Sequence, residues 1–129
     1  MPDPRNISVA GRLEFPKSVV AAGDDLDYIV TNTGDLPIML GAAYVLERFE
    51  SGGWTVANPD AAFRGWGRRL PPGEQTQLTA RLPASLPAGS YRLRKRLAAD
   101  RDPHPGYERQ AQCDLAPCEA IAGFTVKAA

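Results

Sequence analysis

Three arginines recur at every second position in the C-terminal half of the chain, and they are the first candidates for a chemical role. Arg92, Arg94 and Arg96 would lie on one face of a β-strand, because side chains two residues apart in a strand point the same way. Such a row could bind an anionic ligand through charged hydrogen bonds. Its charges also repel one another, and acids on a neighbouring strand, Glu47 or Glu50, would relieve that repulsion. The pattern therefore allows both an anionic contact site and an ordinary solvated sheet face.

A tryptophan flanked by glycines and arginines is the second candidate contact. Trp66 lies between two glycines, with Arg64 and Arg68 beyond them. Exposed tryptophan is a frequent anchor of binding sites, and its ring could also stack on a sugar. Cation–π packing against the flanking arginines is the alternative. The other tryptophan, Trp54, is expected to pack at a hairpin edge or in the core.

Two cysteines, Cys113 and Cys118, are separated by only four residues. We expect a local disulfide, which would pin a turn rather than join distant parts of the fold. Free thiols are the first alternative, and a metal or redox role is the second. A zinc site needs about four ligands, and the single histidine, His104, does not complete such a set with two thiols.

Three acids precede one of the clearest strand patterns. Asp24, Asp25 and Asp27 carry the oxygen ligands that calcium prefers, but aspartate is also common in turns. No calcium-loop spacing follows them. We interpret them as turn and solvent-facing acids, with Asp25 and Asp27 opposite Arg81 on a neighbouring strand.

Motifs of enzymes are absent from the sequence: there is no nucleophile elbow, phosphate-binding loop, metalloprotease helix or dinucleotide fingerprint. We therefore expect a protein that is not an enzyme and has no cofactor and no metal. Acidic and basic residues balance at 15 each, and a chain without net positive charge lacks the field of a dedicated nucleic-acid-binding protein. No apolar run approaches the roughly 18 residues of a transmembrane helix.

The elements that must position these residues are short strands. Alternation of apolar and polar residues, interrupted by turns rich in Gly, Pro, Asn and Asp, predicts strands at about 7–15, 25–31, 43–50, 54–57, 63–70, 77–82, 91–97 and 121–127, with a short apolar run at 36–40. Pro16 predicts an edge strand or a change of sheet. With 129 residues, we expect one domain over 1–129, a two-sheet antiparallel sandwich of seven or eight strands, and a long loop at about 100–119.

Three landmarks define the kind of sandwich. They are the strand and Asn-x-Gly turn of residues 26–35, the Leu-Pro-Pro-Gly-Glu turn of residues 70–74, and Leu-Pro-Ala-Gly-Ser-Tyr at residues 86–91. Together they resemble the bacterial Ig-like domains of secreted proteins and envelope lipoproteins, over about residues 12–98 and 123–126. The resemblance implies an immunoglobulin-like fold with a tyrosine corner, in which Tyr91 hydrogen-bonds back to the preceding connection.

The resemblance implies a non-catalytic module that binds a protein or ligand, or spaces other domains, at the cell envelope. It favours an extracytoplasmic location, which a disulfide would fit, while the N-terminus has no signal-peptide pattern and leaves a cytoplasmic location open. A weaker resemblance to the intracellular proteinase inhibitors of Bacillus makes an inhibitor the first alternative. A carbohydrate-binding module using Trp66 is the second.

Overall fold

The computed structural model describes residues 9–59, 63, 67–99 and 118–128, and none of these residues is helical. They form ten strand segments in two sheets. The segments are β1 (Gly11–Glu14), β2 (Val19–Ala21), β3 (Asp25–Asn32), β4 (Ile38–Gly41), β5 (Val45–Glu50), β6 (Gly53–Val56), β7 (Gly67–Leu70), β8 (Gln75–Arg81), β9 (Gly89–Ala99) and β10 (Cys118–Lys127).

The two sheets form an immunoglobulin-like sandwich, as predicted. One sheet has three strands in the order β1-β3-β8. The other has seven strands: β2-β10-β9-β4-β7 form its main path, and β5 also pairs with β9 and carries β6 on its outer side. Neighbouring strands are antiparallel except β2 and β10, which are parallel. The long strand β9 therefore lies at the centre of the larger sheet.

The strand count exceeds the prediction because β2 lies beyond the predicted first strand and the short apolar run at 36–40 forms β4. The chain changes sheets around Pro16, so that β1 pairs with β3 and β2 pairs with β10. Strands β4 and β5 share one edge of β9 and are separated by residues 42–44. Several bounds also differ. The described part of the strand predicted over 63–70 is β7, Gly67–Leu70, and the last strand includes Cys118 because its ladder with β9 continues to Leu97.

The inward side chains of both sheets meet in one core, and the predicted alternation identifies them correctly. Leu26, Tyr28 and Val30 on β3 are buried, and so are Leu93 and Leu97 on β9. Each such side chain contributes roughly 1.5–3 kcal/mol through its removal from water. The core therefore holds the two sheets together and leaves their outer faces free to differ in chemistry.

A two-residue turn connects β5 to β6. Ser51 and Gly52 both have positive φ, 53° and 80°, which is the conformation of the type I′ turns that match the twist of a hairpin. Glycine at the second position adopts it without steric cost. The turn therefore sets the register that places Trp54 opposite Phe49.

The tyrosine corner is present. The Tyr91 hydroxyl donates a hydrogen bond to the Pro87 carbonyl over 2.6 Å, and its ring stacks on Phe124 with centroids 5.5 Å apart. The ring fills core volume while the hydroxyl satisfies a carbonyl of the bend before β9. This contact fixes where β9 enters the sheet.

Replacing Tyr91 with phenylalanine tests the corner. Tyr91→Phe keeps the ring and removes only the bond to Pro87, so we expect it to lower the free energy of unfolding by about 1 kcal/mol. Urea unfolding followed by circular dichroism measures the change. An unchanged midpoint would mean that the hydroxyl contributes nothing to the bend.

Candidate functional site

The predicted arginine row lies on the outer face of the seven-stranded sheet. Arg92, Arg94 and Arg96 alternate along β9 with buried residues, so their side chains point away from the core. Glu47 on β5 lies opposite Arg92 in the ladder. The acid expected on the neighbouring strand is therefore Glu47, whereas Glu50 pairs with Arg48 at 3.5 Å.

Two carboxylates hold two of the three arginines. Arg92 Nε donates to Glu47 Oε1 over 2.6 Å, and Arg94 Nη1 donates to Glu47 Oε2 over 3.3 Å. Arg94 also donates two hydrogen bonds to Glu119, of 2.6 and 2.9 Å. These bonds lower the pKa of Glu119 and raise the pKa of Arg94. The network fixes the guanidinium groups in one orientation on the sheet.

Arg96 completes the row without such a contact. It is exposed and lies opposite Glu119 in the ladder, but it makes no hydrogen bond or ion pair with any residue in the described part of the chain. With Glu47 and Glu119 as its acids, the row of three arginines therefore keeps one net positive charge.

An aromatic corner adjoins the arginines on the hairpin of β5 and β6. The Phe49 and Trp54 rings form an edge-to-face pair at 5.2 Å, and the Arg92 guanidinium lies 4.3 Å from the centre of the Trp54 ring. Trp54 therefore packs at the hairpin, which is one of the two predicted locations, and its side chain is 39% exposed. Val56 continues the same exposed side of β6.

All the large apolar side chains that are exposed among the described residues lie on this one face. Ile121 points outward from β10, and Val19 points outward beside Thr125. Together with Phe49, Trp54 and Val56 they are 39–50% exposed. We call this surface the aromatic–arginine face. Its members are Val19, Phe49, Trp54, Val56, Arg92, Arg94, Arg96 and Ile121.

A shallow depression lies within the aromatic–arginine face. Its lining includes Ser18, Trp54, Ser90 and Thr125, and Gly123 contributes no side chain there. A Cβ added at Gly123 would come 3.6 Å from the Tyr91 carbonyl oxygen, so glycine is not required for packing. Its effect is to leave the depression open beside Trp54.

Of the remaining predicted contacts, only Arg68 lies among the described residues, and it is not part of this face. Arg68, on β7, reaches across to the other sheet, where its Nη1 donates to Thr76 Oγ1 over 2.5 Å. Trp66 and Arg64 lie outside the described residues, as do His104, Cys113 and the loop from residue 100 to residue 117. The disulfide therefore stays a prediction.

The three acids near β3 make ordinary turn and strand contacts. Asp24 accepts a hydrogen bond from the Ala21 amide. Asp25 lies 3.6 Å from Arg81, its ladder partner, and Asp27 accepts from Thr79. Among the described residues no three His, Cys, Asp or Glu side chains cluster as metal ligands would.

Sequence reasoning missed a buried lysine. Lys95 lies between the arginines of the row but points into the core, where it is 1% exposed. Its Nζ donates to the carbonyls of Gly41 and Ala43, over 2.5 and 2.8 Å, and lies 5.7 Å from the centre of the Tyr28 ring. Burial lowers the pKa of Lys95 to about 8. The sequence signal that could have predicted its burial is its position among the inward-facing residues of the alternating strand β9.

Lys95 satisfies backbone groups at the gap between β4 and β5. Residues 40–44 have no ladder partner on β9, so carbonyls in this stretch need other donors. Lys95 supplies donors to Gly41 and Ala43, and the Asn58 side chain donates to the Tyr44 carbonyl over 3.2 Å. The lysine is accordingly a structural support beneath the aromatic–arginine face.

The sandwich, the tyrosine corner and the sheet order define an immunoglobulin-like domain. The family model described as "Bacterial Ig-like domain" matches residues 8–113. The chain belongs to this family of bacterial Ig-like domains. A search of curated proteins gave no match.

Solved structures with similar folds include two bacterial proteins. One is native alpha-2-macroglobulin from Escherichia coli, from domain MG7 to the C-terminus, with 17% identity and a TM-score of 0.49 over 95% of this chain and 17% of that chain. The other is Spo0M, a sporulation control protein from Bacillus subtilis, with 13% identity and a TM-score of 0.47 over 91% of this chain and 48% of that chain. This chain therefore spans less than half the length of either.

No helix in the described part of the chain is long and apolar enough to cross a bilayer.

Proposed function

We propose that residues 1–129 form a single Ig-like domain that binds a protein partner and catalyses no reaction. The observation that carries the proposal is the gathering of the exposed large apolar side chains on one sheet face, beside fixed arginines. Contiguous exposed apolar surface marks interaction sites, and tryptophan and arginine dominate the binding energy of protein interfaces. An extracytoplasmic setting fits this family and the expected local disulfide.

A protein fits the aromatic–arginine face better than a sugar does. Arg92 covers one side of the Trp54 ring, and Phe49 packs against that ring as well. A flat stacking platform needs an open ring plane, whereas an interface hot spot gains from supporting contacts around its anchor. No observation favours the sugar or proteinase-inhibitor alternatives over this one.

The test compares the two outer faces of the sandwich. The immobilised wild-type chain, the double variant Ile121→Asp/Arg96→Ala and the control Arg81→Ala, on the other sheet, are each offered solubilised envelope proteins from the bacterium that encodes the chain. We expect a protein that the wild type and control retain and the double variant loses. Its purified form should bind the double variant at least about tenfold more weakly, a difference of roughly 1.4 kcal/mol.

The substituted side chains are exposed, so the fold should survive, and circular dichroism checks this. Equal retention by all three chains would contradict the proposal. So would binding that depends on Arg81 instead.

A further inference from the structure

The free edge of β6 is a feature that the proposed function leaves unused. β6 pairs with β5 on one side, and no described strand pairs with its other edge. The side chains of Trp54, Thr55 and Val56 are all exposed, so this hairpin strand extends past the cover of the three-stranded sheet. Its outer edge is accessible along its length within the described structure.

The direction of the backbone groups on this edge follows from the ladder with β5. The Ala57 amide donates to the Leu46 carbonyl over 2.7 Å, and bonded and non-bonded pairs alternate along an antiparallel ladder. Thr55, two residues back, therefore also bonds to β5. The N–H and C=O groups of Trp54 and Val56 point to the open edge, and no described residue bonds to them.

Other edges of the sandwich carry charges that discourage pairing with a further strand. β1 contains Arg12 and Glu14, β7 contains Arg68 and Arg69, and β8 ends in Arg81. β2 has only three residues. In contrast, β6 reads Gly-Trp-Thr-Val, with no charge and no proline. Its edge therefore lacks the charged residues that protect β1, β7 and β8.

We propose that β6 pairs with β6 of a second copy of this chain in an antiparallel, two-fold symmetric dimer. With Thr55 opposite Thr55, Trp54 faces Val56 of the second copy, and outward side chains meet outward side chains. The same register aligns the free groups of Trp54 and Val56, so each pair exchanges two hydrogen bonds. Aromatic and β-branched residues are favourable cross-strand neighbours.

The pairing is self-complementary in register, because the same two residues supply the free groups on both copies, and it brings no charged residues of β6 together. Both features favour a second copy over a foreign strand. It joins the two seven-stranded sheets into one and makes their aromatic–arginine faces continuous. Because β6 has only four residues, the interface is small and the dimer should be weak, as small interfaces are. The inference is independent of the partner named under the proposed function.

The test is self-association measured by sedimentation velocity from about 10 μM to about 1 mM, the range in which small interfaces associate. We expect the wild type to form dimers as concentration rises. The Val56→Pro variant removes an N–H that points away from β5, so the hairpin keeps its bonds while the dimer loses two. Its self-association should weaken at least about tenfold.

A matched control places proline on the edge of β8. The Leu82 and Asn32 amides bond across the β3–β8 ladder, and alternation then turns the Gln77 N–H to the open side. Gln77→Pro should leave the dimer unchanged. Hydrogen exchange of the Trp54 and Val56 amides should slow as wild-type concentration rises.

A wild type that stays monomeric throughout this range would overturn the inference. Equal weakening by both prolines, or association that Val56→Pro leaves intact, would overturn it as well. None of these results bears on the Ile121 and Arg96 test, so the failure of one proposal is distinguishable from the failure of the other.

Discussion

Raising the pH from 8 to about 10 is expected to stabilise the folded protein by about 2–3 kcal/mol, because Lys95 is buried. The amine has a pKa of about 8 in the fold, against 10.5 for an unburied lysine. Between these values the unfolded chain binds the proton and the folded chain does not, so stability rises by about 1.4 kcal/mol per pH unit. The neutral amine still has two N–H donors for the Gly41 and Ala43 carbonyls.

Urea unfolding at fixed ionic strength across this range measures the slope. The control is Lys95→Met, which keeps an unbranched side chain and removes the titrating group, so its stability should not rise. Burial raises the pKa of Tyr28, Tyr44 and Tyr91. They oppose the effect only when the unfolded phenols ionise, near pH 10. A flat wild-type profile below that pH would show that the ammonium is not penalised in the core.

The Asn32→Asp substitution is expected to cost about 3–5 kcal/mol at pH 7, because it orphans two acceptors in a buried site. Asn32 is 1% exposed, and its Nδ2 donates to the carbonyls of Leu36 and Leu70 over 2.8 and 2.9 Å. A carboxylate has no proton to donate and would face both oxygens. Only the bond that Oδ1 accepts from the Gly34 amide would survive.

The pH dependence separates charge from lost hydrogen bonds. Burial would raise the folded-state pKa of the introduced carboxyl, so the lost stability should partly return as the pH falls from 7 towards about 4, where the carboxyl is protonated. The Asn32→Ala variant loses the same bonds without a charge, so its deficit should not change over this range. Thermal unfolding of both variants beside the wild type gives the comparison. Parallel profiles for the two variants would refute a charge effect.

The strands and the inward residues of the sandwich could be predicted because they depend on a local pattern. Leu26, Tyr28 and Val30 alternate with polar residues, and one face of a strand must leave water. The tyrosine corner was equally readable, since Tyr91 and Pro87 are only four residues apart. The outward direction of Arg92, Arg94 and Arg96 followed from the same period of two.

The candidate site could be predicted only in part. The arginine row was found, but Phe49, Val56 and Ile121 each look ordinary in their own segments. They become one surface because β5, β6 and β10 are arranged around β9. No local sequence pattern predicts this strand order. The Trp66 segment lies outside the described residues, so that part of the hypothesis stays a prediction.

The fold class, the core and the arginine row follow from local sequence patterns, because alternation along one strand specifies which side chains are buried. The neighbours of each strand are set by long-range contacts instead. The gap between β4 and β5 makes the buried Lys95 a structural support, and the open edge of β6 is defined only by the pairing of β6 with β5. The role of Lys95 and the open edge of β6 both depend on contacts between residues far apart in the chain. The register of strand pairing brings these residues together.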